Sequence, residues 1–384
     1  MKLALFTDTY PPQVNGVAKT LKRLVHHLEK RNIPHIVFAP DSNQEELYAD
    51  NIHRFISMSF FLYPECRIAL PNLLKIKKQL HHFKPDLLHI ATPFNLGLSG
   101  LTYGKKQQIP MVASYHTHFD HYLHYYHLEW FSNLLWRYME WFHQPFSKIY
   151  VPSTETKEHL EKRNFANLAL WRRGVDSELF HPLRSSSGFR DRYQLKRNYL
   201  FLFVGRLAPE KSLDVLQKII TQMPDELNRE VDWLIVGEGP LRGALEQDMP
   251  SNVTFTGYLQ GEELAQAYAA SHLFVFPSTT ETFGNVALEA LSSGTPAVVA
   301  NKGGVTEIVT HKKTGMIAEA NNHDDFIQHI LTLVNKPSLL KEMGLNTRQY
   351  ALSQSWDTIF DNLLASYEEV IARKVLQTKY QKAL

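Results

Sequence analysis

Tyr199–Met223, YLFLFVGRLAPEKSLDVLQKIITQM, holds the key to the fold. Six apolar residues, Tyr199–Val204, run without a break, as in a strand buried on both faces of a parallel sheet. Gly205–Lys211 then interrupts the run, and Leu213–Met223 takes up a helical pattern. Strand, charged turn and helix form one βα unit. Downstream the pattern recurs. Val231–Val236, Asn252–Phe255, Leu273–Phe276 and Ala297–Ala300 read as strands, separated by helical patterns at Pro240–Met249 and Glu262–Ser271. Upstream lies a second series, with strands at Lys2–Thr7, His35–Ala39, Asp86–Ala91, Met111–Tyr115 and Lys148–Val151 and helical patterns at Lys19–Lys30 and Leu73–Phe83. The expected class is α/β, with two Rossmann-like, doubly wound parallel-sheet domains facing one another across a cleft.

The whole chain fits two such domains. Its 384 residues, 44% hydrophobic and 21% charged, suit an ordinary globular protein and exclude a disordered or collagen-like chain. A single cysteine, Cys66, excludes an internal disulfide and fits a reducing compartment. The apolar run before Asp8 is too short for a secretory signal, and no stretch of 18 apolar residues reads as a membrane span. Pro182 and the polar run Arg184–Gly188 make Asp176–Asn198 read as a linker region. The expected boundaries are 1–178 for the first domain, 179–198 for the linker, 199–355 for the second domain and 356–384 for a C-terminal helix. Net charge is +2, but residues 1–178 carry 21 Lys/Arg against 16 Asp/Glu, a balance of +5, which leaves −3 for the rest. A basic first half suits phosphates, an anionic acceptor or an anionic membrane face; the plainer alternative is solvated lysines.

Ligands of open parallel sheets bind at the carboxyl ends of the strands. There the sequence places Asp8–Gly16, Ala91–Asn95, Tyr115–Asp120, Gly205–Lys211, Gly237–Gly239 and Pro277–Asn285. In Thr7–Gly16, Pro11 and Pro12 stiffen a turn, and Gly16 lets backbone amides approach an anion at a helix N-terminus. In Gly205–Lys211, Arg206 offers a planar fork and Lys211 a point charge to one diphosphate; the alternative is a surface ion pair with Glu210. Gly237–Gly243 has the spacing G-x-G-x-x-x-G, which is not the dinucleotide fingerprint. In Ser278–Glu289, STTETFGNVALE, Glu281 falls in the loop and Glu289 a turn inside the helix, with Phe283-Gly284-Asn285 leaving amides for a phosphate. Two acids eight positions apart are at most about 12 Å apart along a helix, too wide for a retaining glycosidase pair at about 5 Å. The crowd His116, His118, Asp120 and His121 contains no H-E-x-x-H, and no D-x-D occurs in the chain. His116 therefore reads as a partner for sugar hydroxyls rather than as a metal ligand, and no metal is expected. The aromatic run Tyr122–Phe146 reads as core, an acceptor wall or a lipid-touching segment.

These motifs together resemble the retaining glycosyltransferases of family 4, which have the GT-B fold. Glu281–Glu289 matches the family's E-x7-E signature, Arg206 and Lys211 its Arg/Lys pair, Gly16 its N-terminal loop glycine and His116 its histidine near the anomeric region. Arg173-Gly174-Val175-Asp176 resembles the family's N-G-V-D segment, with Arg in place of Asn. The nearest subgroup in look is the nucleotide-sugar enzymes with lipid-linked acceptors, such as GDP-mannose-dependent α-mannosyltransferases and sulfoquinovosyl-diacylglycerol synthases.

The resemblance implies a hexosyl transfer from a GDP- or UDP-linked sugar to a hydroxyl on a lipid or cell-envelope glycan. His116, Arg206, Lys211 and Glu281 would be catalytic. Gly16, Tyr258, Leu259, Phe283, Gly284, Asn285 and Glu289 would bind the donor, with Gly257-Tyr258-Leu259 lodging the base and Glu289 the ribose. It also implies no cofactor beyond the sugar nucleotide, no nucleic-acid partner, a C-terminal segment from Trp356 crossing back to the first domain, and a cytoplasmic enzyme peripheral to the inner face of the cell membrane. Three other readings compete. A Rossmann-type nucleotide-sugar-modifying enzyme or dehydrogenase needs the missing glycine fingerprint. A two-lobed binding protein leaves the cations and acids without purpose. A hydrolase lacks the G-x-S-x-G elbow.

Overall fold

A computed structural model describes residues 1–13, 15–41, 50–60, 63–116, 130, 132–185 and 187–383. The chain divides into two compact units, one of Met1–Arg172 with Asp357–Leu384 and the other of Arg173–Trp356.

The first unit is built on strands β1 (Leu3–Phe6), β2 (His35–Pro40), β3 (Ile52–Phe55), β6 (Leu87–Ile90), β7 (Met111–Ser114), β8 (Lys148–Val151) and β9 (Leu168–Leu170), with a separate antiparallel hairpin, β4 (Ser57–Phe60) and β5 (Tyr63–Ala69). The seven strands are parallel, in the order β3-β2-β1-β6-β7-β8-β9. Every residue of β1, β2, β6 and β7 is buried, which explains why they read as largely apolar runs. Helices α1 (Gly16–Lys30), α2 (Leu73–Phe83), α3 (Asn95–Gln107), α4 (Ser132–His143) and α5 (Thr154–Glu161) connect them. Asn15 caps α1 by accepting from the Ala18 amide at 2.8 Å, and Ala18, Leu21, Leu24, Val25 and Leu28 form its buried stripe.

The C-terminal helix, Trp356–Ala383, packs into this unit from Asp357 onward. Tyr367 is fully buried, and its hydroxyl lies 2.7 Å from His89 Nδ1; His89 Nε2 lies 2.5 Å from Ser114 Oγ. At the helix's start, the buried His27 sits 3.2 Å from Asp357 Oδ1 and 2.9 Å from Asp361 Oδ1, and Lys30 and Arg31 pair with the same two acids.

The second unit has one six-stranded parallel sheet, ordered β12 (Val253–Gly257), β11 (Val231–Val236), β10 (Tyr199–Val204), β13 (Leu273–Phe276), β14 (Ala297–Ala300), β15 (Gly315–Ala318). Its helices are α6 (Ser187–Arg192), α7 (Leu213–Thr221), α8 (Asp225–Asn228), α9 (Arg242–Asp248), α10 (Gly261–Ala270), α11 (Asn285–Ser292), α12 (His323–Val334) and α13 (Pro337–Leu352). The stretch 179–198, expected as a linker, is part of this unit's core. Phe180, Phe189 and Leu195 are buried in it, with Phe180 edge-on to Tyr268 at 5.7 Å. Arg348 fastens the stretch by donating to the carbonyls of Ser177, Phe180 and Ser292. Pro182 does open a surface turn, Pro182–Arg184, but the apolar residues on either side of it anchor the segment.

Candidate functional site

Each sheet reverses its strand order once, and the reversal leaves a crevice at the carboxyl ends of two neighbouring strands. In the second unit the crevice lies between β10 and β13. The turn after β10 brings in Arg206 and Lys211; the loop after β13 brings in Glu281. Lys211 Nζ donates to Glu281 Oε1, so the pair spans the reversal although 70 positions separate its members. Both side chains are largely buried, which strengthens their attraction relative to a solvated pair.

Backbone packing fixes this turn. Thr280 Oγ1 donates to the Glu210 carbonyl at 2.8 Å, and the Leu207 amide donates to the Glu238 carbonyl at 2.9 Å. Gly237 approaches so closely that a Cβ there would lie 1.9 Å from the Gly205 carbonyl oxygen. Gly237 and Gly239 thus serve close backbone packing at the crevice, the latter because a Cβ would lie 2.3 Å from the Leu207 carbonyl oxygen, whereas a Cβ on Gly243 would meet open space. Arg206 Nη1 is 3.6 Å from Glu210 Oε1. The alternative pairing with Glu210 is therefore present, but as an interior contact, since Glu210 is buried.

The loop after β13 ends on Gly284, whose φ of 98° suits glycine and which precedes α11 without giving a side-chain cap. A Cβ there would meet Val305 Cγ1 at 2.4 Å. The helix start therefore presents the positive end of its dipole, with the Ala287 amide in its first turn donating to the Gly284 carbonyl at 3.0 Å. Asn285 Oδ1 is buried there with no hydrogen-bond partner among the described residues. Phe283 is buried in the core beneath. Glu289, one turn on, accepts from the Tyr268 hydroxyl at 3.1 Å. Burial first, and the Glu289 charge second, hold that phenol well above its ordinary range, so it remains a donor. Leu259 is buried, and Tyr258 beside it is 45% exposed.

The sequence reading missed one supporting element. Gly303-Gly304, following β14, lies against the Thr279–Phe283 backbone, and the Gly304 amide donates to the Glu281 carbonyl at 2.7 Å. A Cβ on Gly304 would come within 2.5 Å of the Thr282 carbonyl oxygen. The available signal was the glycine pair at a strand's carboxyl end.

The first unit holds the remaining two predicted residues. Gly16 is exposed at the first position of α1, just after Asn15. His116 follows β7, with its ring 5.4 Å from that of the buried Trp171. His118, Asp120, His121 and residues 122–126 lie outside the described residues. In this unit the crevice lies between β1 and β6, and the protein fills it itself. Asp8, fully buried after β1, accepts from Thr92 Oγ1 at 2.8 Å and from the Leu96 and Gly97 amides at 3.1 and 3.4 Å. A carboxylate of the chain thus occupies the α3 N-terminus, whereas no side chain of the N-cap residue covers that of α11.

Known proteins match the chain along nearly its whole length. Residues 14–179 match the model of Glycosyltransferase Family 4, and residues 189–350 match Glycosyl transferases group 1. The chain is 31% identical to a GDP-mannose-dependent alpha-mannosyltransferase of Mycobacterium tuberculosis, over 98% of this chain and 99% of that one. It is 27% identical to an alpha-monoglucosyldiacylglycerol synthase of Streptococcus pneumoniae, over 100% of this chain and 88% of the relative. Among solved structures, a sucrose-phosphate synthase (tll1590) from Thermosynechococcus elongatus superposes with a TM-score of 0.79 at 19% identity, covering 97% of this chain and all of that one, which shows the GT-B fold. With similarity sustained from end to end and cations facing acids at the crevice of its second sheet, the chain belongs to the family 4 glycosyltransferases.

Proposed function

We propose that this glycosyltransferase moves a hexosyl group, with retention, from a GDP- or UDP-linked sugar to a hydroxyl on a lipid or cell-envelope glycan, at the inner face of a membrane. The names of the two relatives support a nucleotide-sugar donor and a lipid acceptor. The observation that carries the reading is the Lys211–Glu281 pair spanning the β10/β13 reversal, next to a helix start without a side-chain cap.

A diphosphate in that crevice accepts from the α11 amides and draws on Arg206 and Lys211. As the glycosidic bond breaks, negative charge grows on the departing diphosphate, and these two cations stabilise it. Glu281, released from Lys211, accepts from hydroxyls of the transferred sugar, and Glu289, held by Tyr268, accepts from the ribose. Tyr258 and Leu259 lodge the base. Gly16 contributes backbone amides to the phosphates, and His116 hydrogen-bonds the sugar near its anomeric carbon. The acceptor hydroxyl attacks from the face the diphosphate leaves, and the diphosphate takes its proton. Because the two side-chain cations supply the positive charge, we assign no metal to the reaction; full activity in EDTA is the expected result, and its loss would refute that assignment.

Thermal shift with GDP and UDP tests the site directly. A nucleotide at 100 times its dissociation constant adds about 2.7 kcal/mol. Lys211→Ala and Glu281→Gln are expected to abolish transfer, and Arg206→Ala to slow it by about 10²–10³, in proteins that still melt cooperatively. Full activity in Lys211→Ala would refute the proposal.

A further inference from the structure

The first unit carries an apolar surface that its own fold does not use. Ile56, Met58, Leu70, Leu73 and Leu74 are all more than half exposed, Leu74 at 81%. They are contiguous by construction. Met58 pairs with Ile68 across the hairpin, the Leu70 amide donates to the Ile56 carbonyl at 2.8 Å, and Asn72, two residues on, caps α2 with Leu73 and Leu74 in its first turn. Helix α2 buries only Ile76 and Leu80, so it presents Lys75, Lys77 and Lys78 to solvent. Residues 67–84 contain Arg67, Lys75, Lys77, Lys78 and Lys84 and no Asp or Glu.

Exposed aliphatic tips rimmed by cations of one sign match a surface that is anionic at its face and apolar beneath. From this juxtaposition we infer that the base of the β4–β5 hairpin and the first turns of α2 form a docking site for a bilayer leaflet containing anionic phospholipid. The inference rests on the lipid-acceptor reading above and names the surface that meets the membrane. Leu73 and Leu74 enter the acyl boundary while the lysines remain among the headgroup phosphates. A second copy of the chain is a poorer occupant, because a two-fold contact would set five cations against the same five. No helix among the described residues is long and apolar enough to cross a membrane, so attachment at this site is interfacial.

Co-sedimentation of the full chain with phosphatidylcholine vesicles, with and without phosphatidylglycerol, tests this without donor or acceptor. The protein is expected to bind the phosphatidylglycerol vesicles and to be released by high salt. Lys75→Glu/Lys77→Glu/Lys78→Glu is expected to weaken binding on the order of 100-fold, and Leu73→Ser/Leu74→Ser to release the protein even at low salt. Stabilisation by GDP or UDP, measured on the same variants, must be unchanged, so a failure of docking is distinguishable from a failure of the donor site. Three outcomes would overturn the inference: no binding to either vesicle, equal binding by wild type and both variants, or a concentration-dependent dimer that the variants abolish.

Discussion

Asp8 and His143 are buried ionisable groups of the first unit that titrate in opposition. Burial pushes the Asp8 carboxyl up to about 6, against the lowering effect of the Leu96 amide, Thr92 and the Gly97 amide. Burial pushes the His143 imidazole down to about 4, with the Met139 carbonyl opposing. The Asp8 contribution to stability is therefore full below the ordinary pKa of 3.8 and lost as pH rises through about 6. The His143 contribution is full above 6.5 and lost as pH falls toward 4. Over the shared interval they offset one another, each by at most about 3 kcal/mol. In Asp8→Asn only the histidine term remains, so the melting temperature should fall more steeply from pH 6.5 to 4 than in wild type. Parallel curves from differential scanning calorimetry would contradict this. Gly284→Ala should cost about 1–3 kcal/mol through its positive φ and its clash with Val305, and should remove GDP or UDP stabilisation; an unchanged nucleotide response would separate that loop from the site. That Arg206, Lys211 and Glu281 follow strand ends was legible because glycine and proline punctuate those ends. The Lys211–Glu281 contact was not, because strand order, rather than local spacing, brings β10 beside β13.

At the scale of elements, the interior strands were legible, and of the edge strands only β12 was, read as Asn252–Phe255. β10, β11, β13 and β14 are apolar throughout because helices cover both faces, apart from Asp232, which accepts from the Arg197 amide at 2.9 Å. β9 has only three residues, none of them buried, and β3 begins with half-buried Ile52 and His53; neither gives a clear periodic signal. The C-terminal helix was legible as a helix, but not its anchor. His89 lies within an apparently ordinary apolar strand, yet it is the residue that ties Tyr367 to Ser114. Tyr367→Phe leaves His89 Nδ1 without that partner in the interior, a loss of about 1–3 kcal/mol. Chemical denaturation should show it as a lower midpoint with an unchanged slope; an unshifted midpoint would mean that the hydrogen bond contributes nothing.

At the scale of the whole molecule, two doubly wound sheets were legible from the two βα series, whereas the segment joining them was misjudged because polar turns hid Phe180, Phe189 and Leu195. The two units differ in how the chain builds them. The second is continuous, Arg173–Trp356, and the first is assembled from both ends. A fragment of residues 173–356 is expected to melt cooperatively and to be stabilised by GDP or UDP, and residues 1–172 alone to lack a cooperative melt; a cooperative melt from the latter would show that the C-terminal helix is dispensable.

The discontinuity also orders synthesis. When the ribosome has made residues 1–172, His27, His89 and Tyr150 still await Asp361, Tyr367 and Ser366, which are translated only after the entire second unit. The nascent first unit must therefore wait with an unfinished flank while about 184 residues emerge behind it, Arg173 through Trp356. At roughly 5–20 residues per second that interval lasts on the order of 10–40 s, which makes this flank a natural place for a chaperone to bind.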